Sequence, residues 1–164
     1  MHRIYKFVVF IICTCIFISC NKDKKQLDDK PSLTFLSAST DVIYFQRLDT
    51  LHLNFLFEDG GNNLGYAEDG IDSTFVILDQ RPGDEGFRAR YTLPMPYIPK
   101  KDRTKSGNLV GDVSLSLMPA FHYPRMDTLH VNGRDTVYWH VYMQDMDGNA
   151  SDTIVVGPIY IMPN

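Results

Sequence analysis

The chain has 164 residues, a formal net charge of −4 and 44% hydrophobic residues. This composition excludes an intrinsically disordered chain, and the acidic balance argues against a nucleic-acid-binding protein, which needs a basic surface. Aspartate outnumbers glutamate by 17 to 3. Because aspartate favours turns over helix interiors, an all-helical fold is disfavoured.

The N-terminus has the layout of a secretory signal peptide. Arg3 and Lys6 precede a run of uncharged residues at 7–19. A helix of that length spans roughly 20 Å, which is too short for the ~30 Å hydrocarbon core of a bilayer. A cleavable signal is therefore favoured over a permanent membrane span.

The signal ends in the segment Phe17-Ile18-Ser19-Cys20, which resembles the lipobox of bacterial lipoproteins. The resemblance implies cleavage before Cys20 and acylation of its thiol. An ordinary secretory signal followed by an incidental cysteine is the alternative. Since the other two cysteines lie within the signal, the mature chain has neither a disulfide framework nor a thiolate metal site.

Three regions follow from this interpretation. Residues 1–19 form the signal peptide, and residues 20–31 form the lipidated cysteine with a polar tether that cannot bury enough surface to order itself. Residues 32–164 form one domain, which is large enough for a single hydrophobic core. Removal of the two basic signal residues changes the net charge of the mature chain to −6.

The body of the chain shows the period-two alternation of half-buried strands. The strongest pattern places Leu51, Leu53, Phe55 and Phe57 on one face. Further strands are predicted at Leu33–Leu36, Val42–Phe45, Thr74–Leu78, Arg88–Thr92, Val113–Leu117, Leu129–Val131, Val137–Met143 and Ile154–Ile161. Short strands separated by Gly, Asn, Asp and Pro predict an immunoglobulin-like antiparallel β-sandwich of seven to nine strands.

Two predicted strands run into loops rich in Asp, Gly and Asn, at 57–65 and 143–151. The second loop resembles the D-x-x-G-N-x-S turn before the last strand of bacterial immunoglobulin-like domains. The first is similar to an Asp/Gly-rich loop in immunoglobulin-like lipoproteins of the Bacteroidota. The resemblance implies a lipoprotein of the outer membrane, with the periplasmic or the surface-facing side left open.

In such a sandwich both loops gather at one end, where their oxygen atoms suit Ca²⁺. The candidate ligands are Asp59, Asn62, Asp145, Asp147 and Asn149. The second loop is not an EF-hand, because Ala150 occupies the position of the required glycine. Asx turns that satisfy their own backbone are the alternative.

A second candidate site lies on one strand, where Tyr138 and Tyr142 flank His140 on the outward face. Aromatic side chains spaced about 13 Å from end to end could stack on sugar rings. Coverage of these side chains by a neighbouring loop is the alternative. His130 and His140 are too far apart along successive strands to share a zinc ion.

The stretch from Asp79 to Gly111 is rich in proline and basic residues and is predicted to be a long connection. It is either a contact for anionic groups or a solvated loop. The chain has no nucleophile elbow, phosphate-binding glycine loop or His-Glu-x-x-His motif.

We therefore expect a non-enzymatic lipoprotein, anchored to the membrane by lipid, whose sandwich acts as a binding, adhesion or accessory module at the cell envelope. Its expected partners are the membrane and either a glycan or another envelope protein, but not nucleic acid. A glycan-binding accessory protein of an outer-membrane uptake system is the alternative. A carboxylate-dependent hydrolase is a more distant one, since it would need two carboxylates held in a deep cleft.

Overall fold

The computed structural model describes residues 27–44, 47, 49–65, 74–96, 98–102, 108–118 and 133–162. Eight strands form within this part of the chain. They are β1 (Ser32–Ala38), β2 (Val42–Tyr44), β3 (Leu51–Asp59), β4 (Thr74–Gln80), β5 (Ala89–Pro94), β6 (Leu109–Leu117), β7 (Asp135–Gln144) and β8 (Ile154–Met162). A 3₁₀ turn covers Lys100–Asp102. The signal peptide, Cys20 and the predicted strand Leu129–Val131 lie outside the described residues.

The strands form two packed sheets, which confirms the predicted β-sandwich. One sheet has the order β1-β3-β6, and the other has the order β2-β8-β7-β4-β5. In the nomenclature of immunoglobulin-like domains these are an A-B-E sheet and an A′-G-F-C-C′ sheet. Between β1 and β2 the chain crosses from one sheet to the other, where β2 runs parallel to β8 and the N–H of Tyr160 donates to the carbonyl of Asp41 at 2.7 Å.

The alternation of apolar and polar side chains explains how the two sheets share one core. On β3 the predicted row Leu51, Leu53, Phe55 and Phe57 is buried, and each intervening side chain faces outward. Trp139 of β7 is fully buried in the same core. The buried apolar cluster is completed by Ile43, Leu64, Phe75, Ile77, Met95, Leu109, Leu115, Leu117, Val137, Val141, Met143, Val156, Ile159 and Ile161.

Charged residues continue the inward-facing positions of three strands beyond their last apolar residue. Asp59 follows Phe57 on the inward side of β3, and Asp145 follows the inward row of β7. On β4 the inward row continues through Asp79 to Arg81. Because side chains alternate strictly along a strand, these four charged residues are carried into the interior, and all four are buried.

Arg81 neutralises the buried charge at one end of the core. Its guanidinium binds Asp79 in a two-pronged ion pair, with Nε to Oδ1 at 2.7 Å and Nη2 to Oδ2 at 3.0 Å. Its Nη1 donates to Oδ2 of Asp135, the first residue of β7. The side chains of Arg81 and Asp79 are 2% and 0% exposed. The cluster therefore joins the end of β4 to the start of β7 and gives the buried Asp79 a counterion.

Burial alone would lower the pKa of Arg81. The hydrogen bonds and negative charge of Asp79, followed by the charge of Asp135, outweigh that effect and raise the pKa above its ordinary value. Arg81 therefore remains charged across the whole physiological pH range.

The two ends of the sandwich have different chemistry, and we name them accordingly. The aspartate pole consists of residues 59–65 and 145–151, where β3 and β7 end. The arginine pole consists of the turn at residues 81–88 and the start of β7 at 133–135. The register of β3 with β6 and of β4 with β7 places these two poles at opposite ends of the strands.

Two sequence interpretations need correction. The stretch from Asp79 to Gly111 is not one long connection, because it contains the end of β4, all of β5 and the start of β6. Nor is the tether free up to residue 31, because Pro31 is buried and residues 27–30 contact the domain. Both errors have the same cause, since packing against neighbouring strands orders segments whose own composition favours a coil.

We expect Arg81→Met to lower the free energy of unfolding by about 3–5 kcal/mol, because it leaves Asp79 buried without a counterion. Urea denaturation followed by tryptophan fluorescence measures this change, since the single Trp139 lies in the core. The matched control is Arg88→Met, in the same turn. Arg88 pairs with Asp84 at the surface, where ion pairs contribute little. Equal losses in the two variants would contradict a special role for the buried cluster.

Candidate functional site

The two Asp/Gly/Asn-rich loops meet at the aspartate pole, as the sequence predicts. The N–H of Met146 donates to the carbonyl of Asn63 at 3.2 Å. The side-chain amide of Asn63 lies between two carboxylates, at 3.0 Å from Oδ2 of Asp145 and 2.6 Å from Oδ2 of Asp147. Asn63 is therefore the residue that joins the two loops.

Asp145 also closes its own loop. Its Oδ1 accepts the backbone N–H of Asn149 at 2.7 Å, and its Oδ2 accepts the Asn149 side-chain amide at 2.9 Å. The backbone N–H of Asp145 donates to the Asn149 carbonyl at 3.0 Å, and Gly148 supplies the positive φ of 87° that the turn requires. Asp145 is thus bound by N–H donors from both loops, which explains how a carboxylate is held at 3% exposure.

Asp59 is fully buried at the end of β3. Its two oxygens accept the backbone N–H groups of Gly61 and Asn63, each at 3.3 Å. Burial raises the pKa of Asp59 above its ordinary value, and the nearby charge of Asp145 raises it further. The N–H donors lower the pKa but do not outweigh these effects.

These contacts bear on the calcium hypothesis. Asp59, Asp145, Asp147 and Asn149 lie at one pole, together with Asn62, whose φ of 55° makes it part of the same turn. Within the described residues, no group of three or more His, Cys, Asp or Glu is placed to hold a metal ion. Because the oxygens of Asp145 already accept N–H donors, the contacts favour the Asx-turn alternative. Calcium binding at this pole stays a prediction.

The second candidate site lies on the outward face of β7, where Tyr138, His140 and Tyr142 are all half-buried. The Nε2 atom of His140 is 2.6 Å from Oε1 of Gln80 on the neighbouring strand β4. The ring of Phe87 packs edge-on against the imidazole, with 5.1 Å between the ring centroids. A neighbouring loop therefore covers part of this face, as the alternative prediction held, but Phe87 itself is half-exposed and extends the aromatic surface.

The face around His140 differs in charge from the rest of the chain. The outward positions of β4, β5 and β7 contain no carboxylate. They are occupied by Thr74, Val76, Leu78, Gln80, Arg90, Thr92, Pro94, Thr136, Tyr138, His140, Tyr142 and Gln144. Val155 lies opposite His140 on β8 and is 54% exposed. We name this surface, together with Phe87, the aromatic face.

The aromatic face is not uniformly accessible. Val76 is only 1% exposed although it points away from the core, and it lies in register between Tyr142 and Thr92. The exposed large apolar side chains of the face, Phe87 and Val155, lie beside His140. No pattern in the sequence indicates Phe87, because it belongs to a turn and reaches β7 only through the folding of that turn.

The basic residues between β4 and β6 are less available for anions than the sequence suggests. Arg81 is buried in its ion pairs. Arg88 binds Asp84, which lowers the pKa of that carboxyl group. Arg90 is exposed on the aromatic face. The positive charge that this stretch offers to a ligand is therefore smaller than its composition implies.

A surface cleft of about 450 Å³ lies between the edge of β1 and the edge of β8. It is lined mainly by apolar groups, including Phe35, Val156 and Ile159, and Asp41 is its one carboxylate. A cleft with one carboxylate lacks the pair that a carboxylate-dependent hydrolase requires.

One further histidine, His52, lies on a described strand. His52 lies on the outward face of β3, where its Nδ1 is 3.0 Å from the hydroxyl of Ser116. His130 lies outside the described residues, as does Cys20. No helix in the described part of the chain is long and apolar enough to cross a membrane.

Comparison with known proteins identifies no relative. No protein-family model matches the chain, and neither a curated protein nor a solved structure shows significant similarity to it.

We expect the stability of the domain to respond to pH through Asp59. Because its pKa is higher in the folded chain, the folded state binds a proton more tightly than the unfolded state above pH 3.8. The free energy of unfolding of the wild type, relative to that of Asp59→Asn, should therefore increase as the pH falls from 7 towards 4. Urea denaturation at a series of pH values measures this difference.

The control for this experiment is Asp152→Asn. A hydrogen bond from Lys30 lowers the pKa of Asp152, so its contribution is present at higher pH and is lost as the pH falls below 4. The two substitutions should therefore produce differences of opposite sign. A pH-independent difference between the wild type and Asp59→Asn would contradict the assignment.

Proposed function

We propose that this protein is a lipoprotein of the outer membrane, acylated at Cys20, whose β-sandwich is a binding module at the cell envelope. The aromatic face is the observation that carries the binding role. In a chain with 20 acidic residues, the twelve outward positions of its three strands, β4, β5 and β7, carry no carboxylate. Half-exposed Phe87 and Val155 lie on this surface, and exposed apolar groups that cluster are typical of interaction sites.

The proposal is for binding rather than catalysis. The buried carboxylates Asp59, Asp79 and Asp145 are occupied by N–H donors or by Arg81. They hold the ends of the core together and are turned away from solvent. A group that acts as a general acid or base must reach its substrate, which these side chains do not.

A glycan is the ligand that the aromatic face fits best. Tyr138 and His140 supply flat rings that can stack on the apolar faces of sugars. Gln80 and Arg90 supply an amide and a guanidinium on the same face, and these groups donate hydrogen bonds to hydroxyl or carboxylate oxygens. This combination supports the role of an accessory protein for glycan uptake.

Metabolic labelling with an alkyne analogue of palmitate tests the anchor. We expect the wild-type chain to carry the label and to fractionate with the outer membrane, and Cys20→Ser to lose both properties. Cys13→Ser and Cys15→Ser are matched controls that should keep the label, because these cysteines precede the cleavage site. A labelled Cys20→Ser variant would disprove acylation at this residue.

A glycan array probed with the purified protein tests the ligand. We expect Tyr138→Ala to weaken binding about fivefold, which corresponds to the roughly 1 kcal/mol of one aromatic contact. Tyr44→Ala is the control, because Tyr44 lies on β2 with its ring under Arg47. Glycan binding that survives both Tyr138→Ala and His140→Ala would place the glycan on another part of the protein, and no binding by the wild type would favour another envelope protein as the partner.

A further inference from the structure

The chain enters the sandwich at the aspartate pole through a fixed contact. The backbone N–H of Gly60 donates to the carbonyl of Asp28 at 2.8 Å. A Cβ atom at Gly60 would lie only 2.4 Å from the carbonyl oxygen of Leu27 and 2.6 Å from that of Asp28. Glycine is therefore the one residue that lets residues 27–30, which we name the strap, lie directly on the loop after β3.

Further contacts hold the strap in place. The ammonium group of Lys30 is 2.7 Å from Oδ1 of Asp152, and the backbone N–H of Lys30 donates to Oδ1 of Asp28 at 3.2 Å. Pro31 is buried, and Ser32 then begins β1 opposite Glu58 near the end of β3. The exposed Lys30–Asp152 pair contributes little by itself, so the close approach at Gly60 is the defining contact.

The length of the tether limits how the domain can sit on a bilayer. Cys20 and Leu27 are seven residues apart in the sequence. Seven residues span at most about 25 Å when fully extended and about 15 Å as a flexible coil. The nine-residue strands β3 and β6 are about 30 Å long. A lipid at Cys20 therefore holds the aspartate pole close to the membrane, whereas the arginine pole is about a strand length further from the attachment point.

Charge limits how closely this end of the domain approaches the lipid. The strap and the neighbouring loop present Asp28, Asp29, Asp147 and Asp152 to solvent, and Asp152 is paired with Lys30. Anionic lipid headgroups repel such a surface, which keeps the pole from sinking into the headgroup layer. The tether holds this pole near the membrane, and the negative charge of the pole keeps it out of the headgroup layer.

We infer that the domain stands on the membrane with the aspartate pole facing the lipid and the arginine pole facing away. The inference rests on the proposed acylation of Cys20. The part of the aromatic face around Phe87 and His140 is then held away from the bilayer and presented to a partner in the aqueous compartment.

Fluorescence quenching on vesicles tests this orientation. Single cysteines are introduced at two exposed positions, Thr153→Cys at the aspartate pole and Glu85→Cys at the arginine pole, and each is labelled with the same dye. The mature chain has no cysteine besides Cys20, so the label reaches only the introduced thiol. The lipidated protein is reconstituted into phosphatidylcholine and phosphatidylglycerol vesicles that carry a quencher on the headgroup.

We expect strong loss of fluorescence from the label at position 153 and little loss from the label at position 85. Equal quenching of the two labels, or stronger quenching at position 85, would overturn the orientation while leaving the lipid anchor intact. Absence of the palmitate label would overturn the anchor and the orientation together. The two failures are therefore distinguished by two separate measurements.

The role of the strap is tested with Gly60→Ala in both labelled proteins. Alanine forces the carbonyls of Leu27 and Asp28 away, so the difference in quenching between the two labels should shrink. Gly86→Ala is the matched control, because a Cβ at Gly86 meets nothing within 4 Å and the difference should persist. An unchanged difference in Gly60→Ala would show that the strap does not set the orientation. The comparison of the two labels in the otherwise unaltered chain does not depend on this variant.

Discussion

The ion pair between Arg81 and Asp79, extended to Asp135, is the interaction on which this sandwich most depends. Placing a carboxylate in an apolar core costs several kcal/mol, and a well-oriented counterion offsets that cost. The guanidinium meets Asp79 with two parallel hydrogen bonds and reaches the first residue of β7 with its remaining arm. Because residues 21–164 contain no cysteine, no disulfide joins the two sheets, and the core with its polar ends must hold the fold together.

Buried carboxylates are stabilised in different ways at the two ends of the core. At the arginine pole a buried positive charge compensates the aspartates. At the aspartate pole no cation lies among the described residues within reach of Asp59 and Asp145, and N–H donors from Asn63, Asn149 and Gly61 take that role instead. Burial raises the pKa of Asp59, and the N–H donors that bind its oxygens do not outweigh that effect. Asp59 is therefore expected to make the stability of the domain depend on pH.

The two poles of the sandwich have different proposed roles. In the proposed function, the strap brings the end of the chain that carries the acylated Cys20 to the aspartate pole, through contacts that involve Gly60 and Asp152. The proposed recognition surface surrounds Phe87 and His140, and His140 lies five residues before Asp145 along the chain. A ligand at His140 would therefore be about 17 Å, or half a strand length, from the aspartate pole.

The sequence by itself determined the class of fold, because the alternation at Leu51–Phe57 and Val137–Met143 admits only half-buried strands. It also predicted that the loops at 57–65 and 143–151 meet, since the strand order of an immunoglobulin-like sandwich brings them to one end, although an extra reversal of the chain would have separated them. The same alternation, continued beyond the ends of the predicted strands, would have identified Asp59, Asp79, Arg81 and Asp145 as inward-facing. Only the tertiary structure decided how each buried charge is satisfied, because Arg81 and Asp135 are 54 residues apart and meet through the pairing of β4 with β7. For the same reason the approach of Phe87 to His140 and of the strap to Gly60 depends on packing between distant segments, which local sequence does not encode.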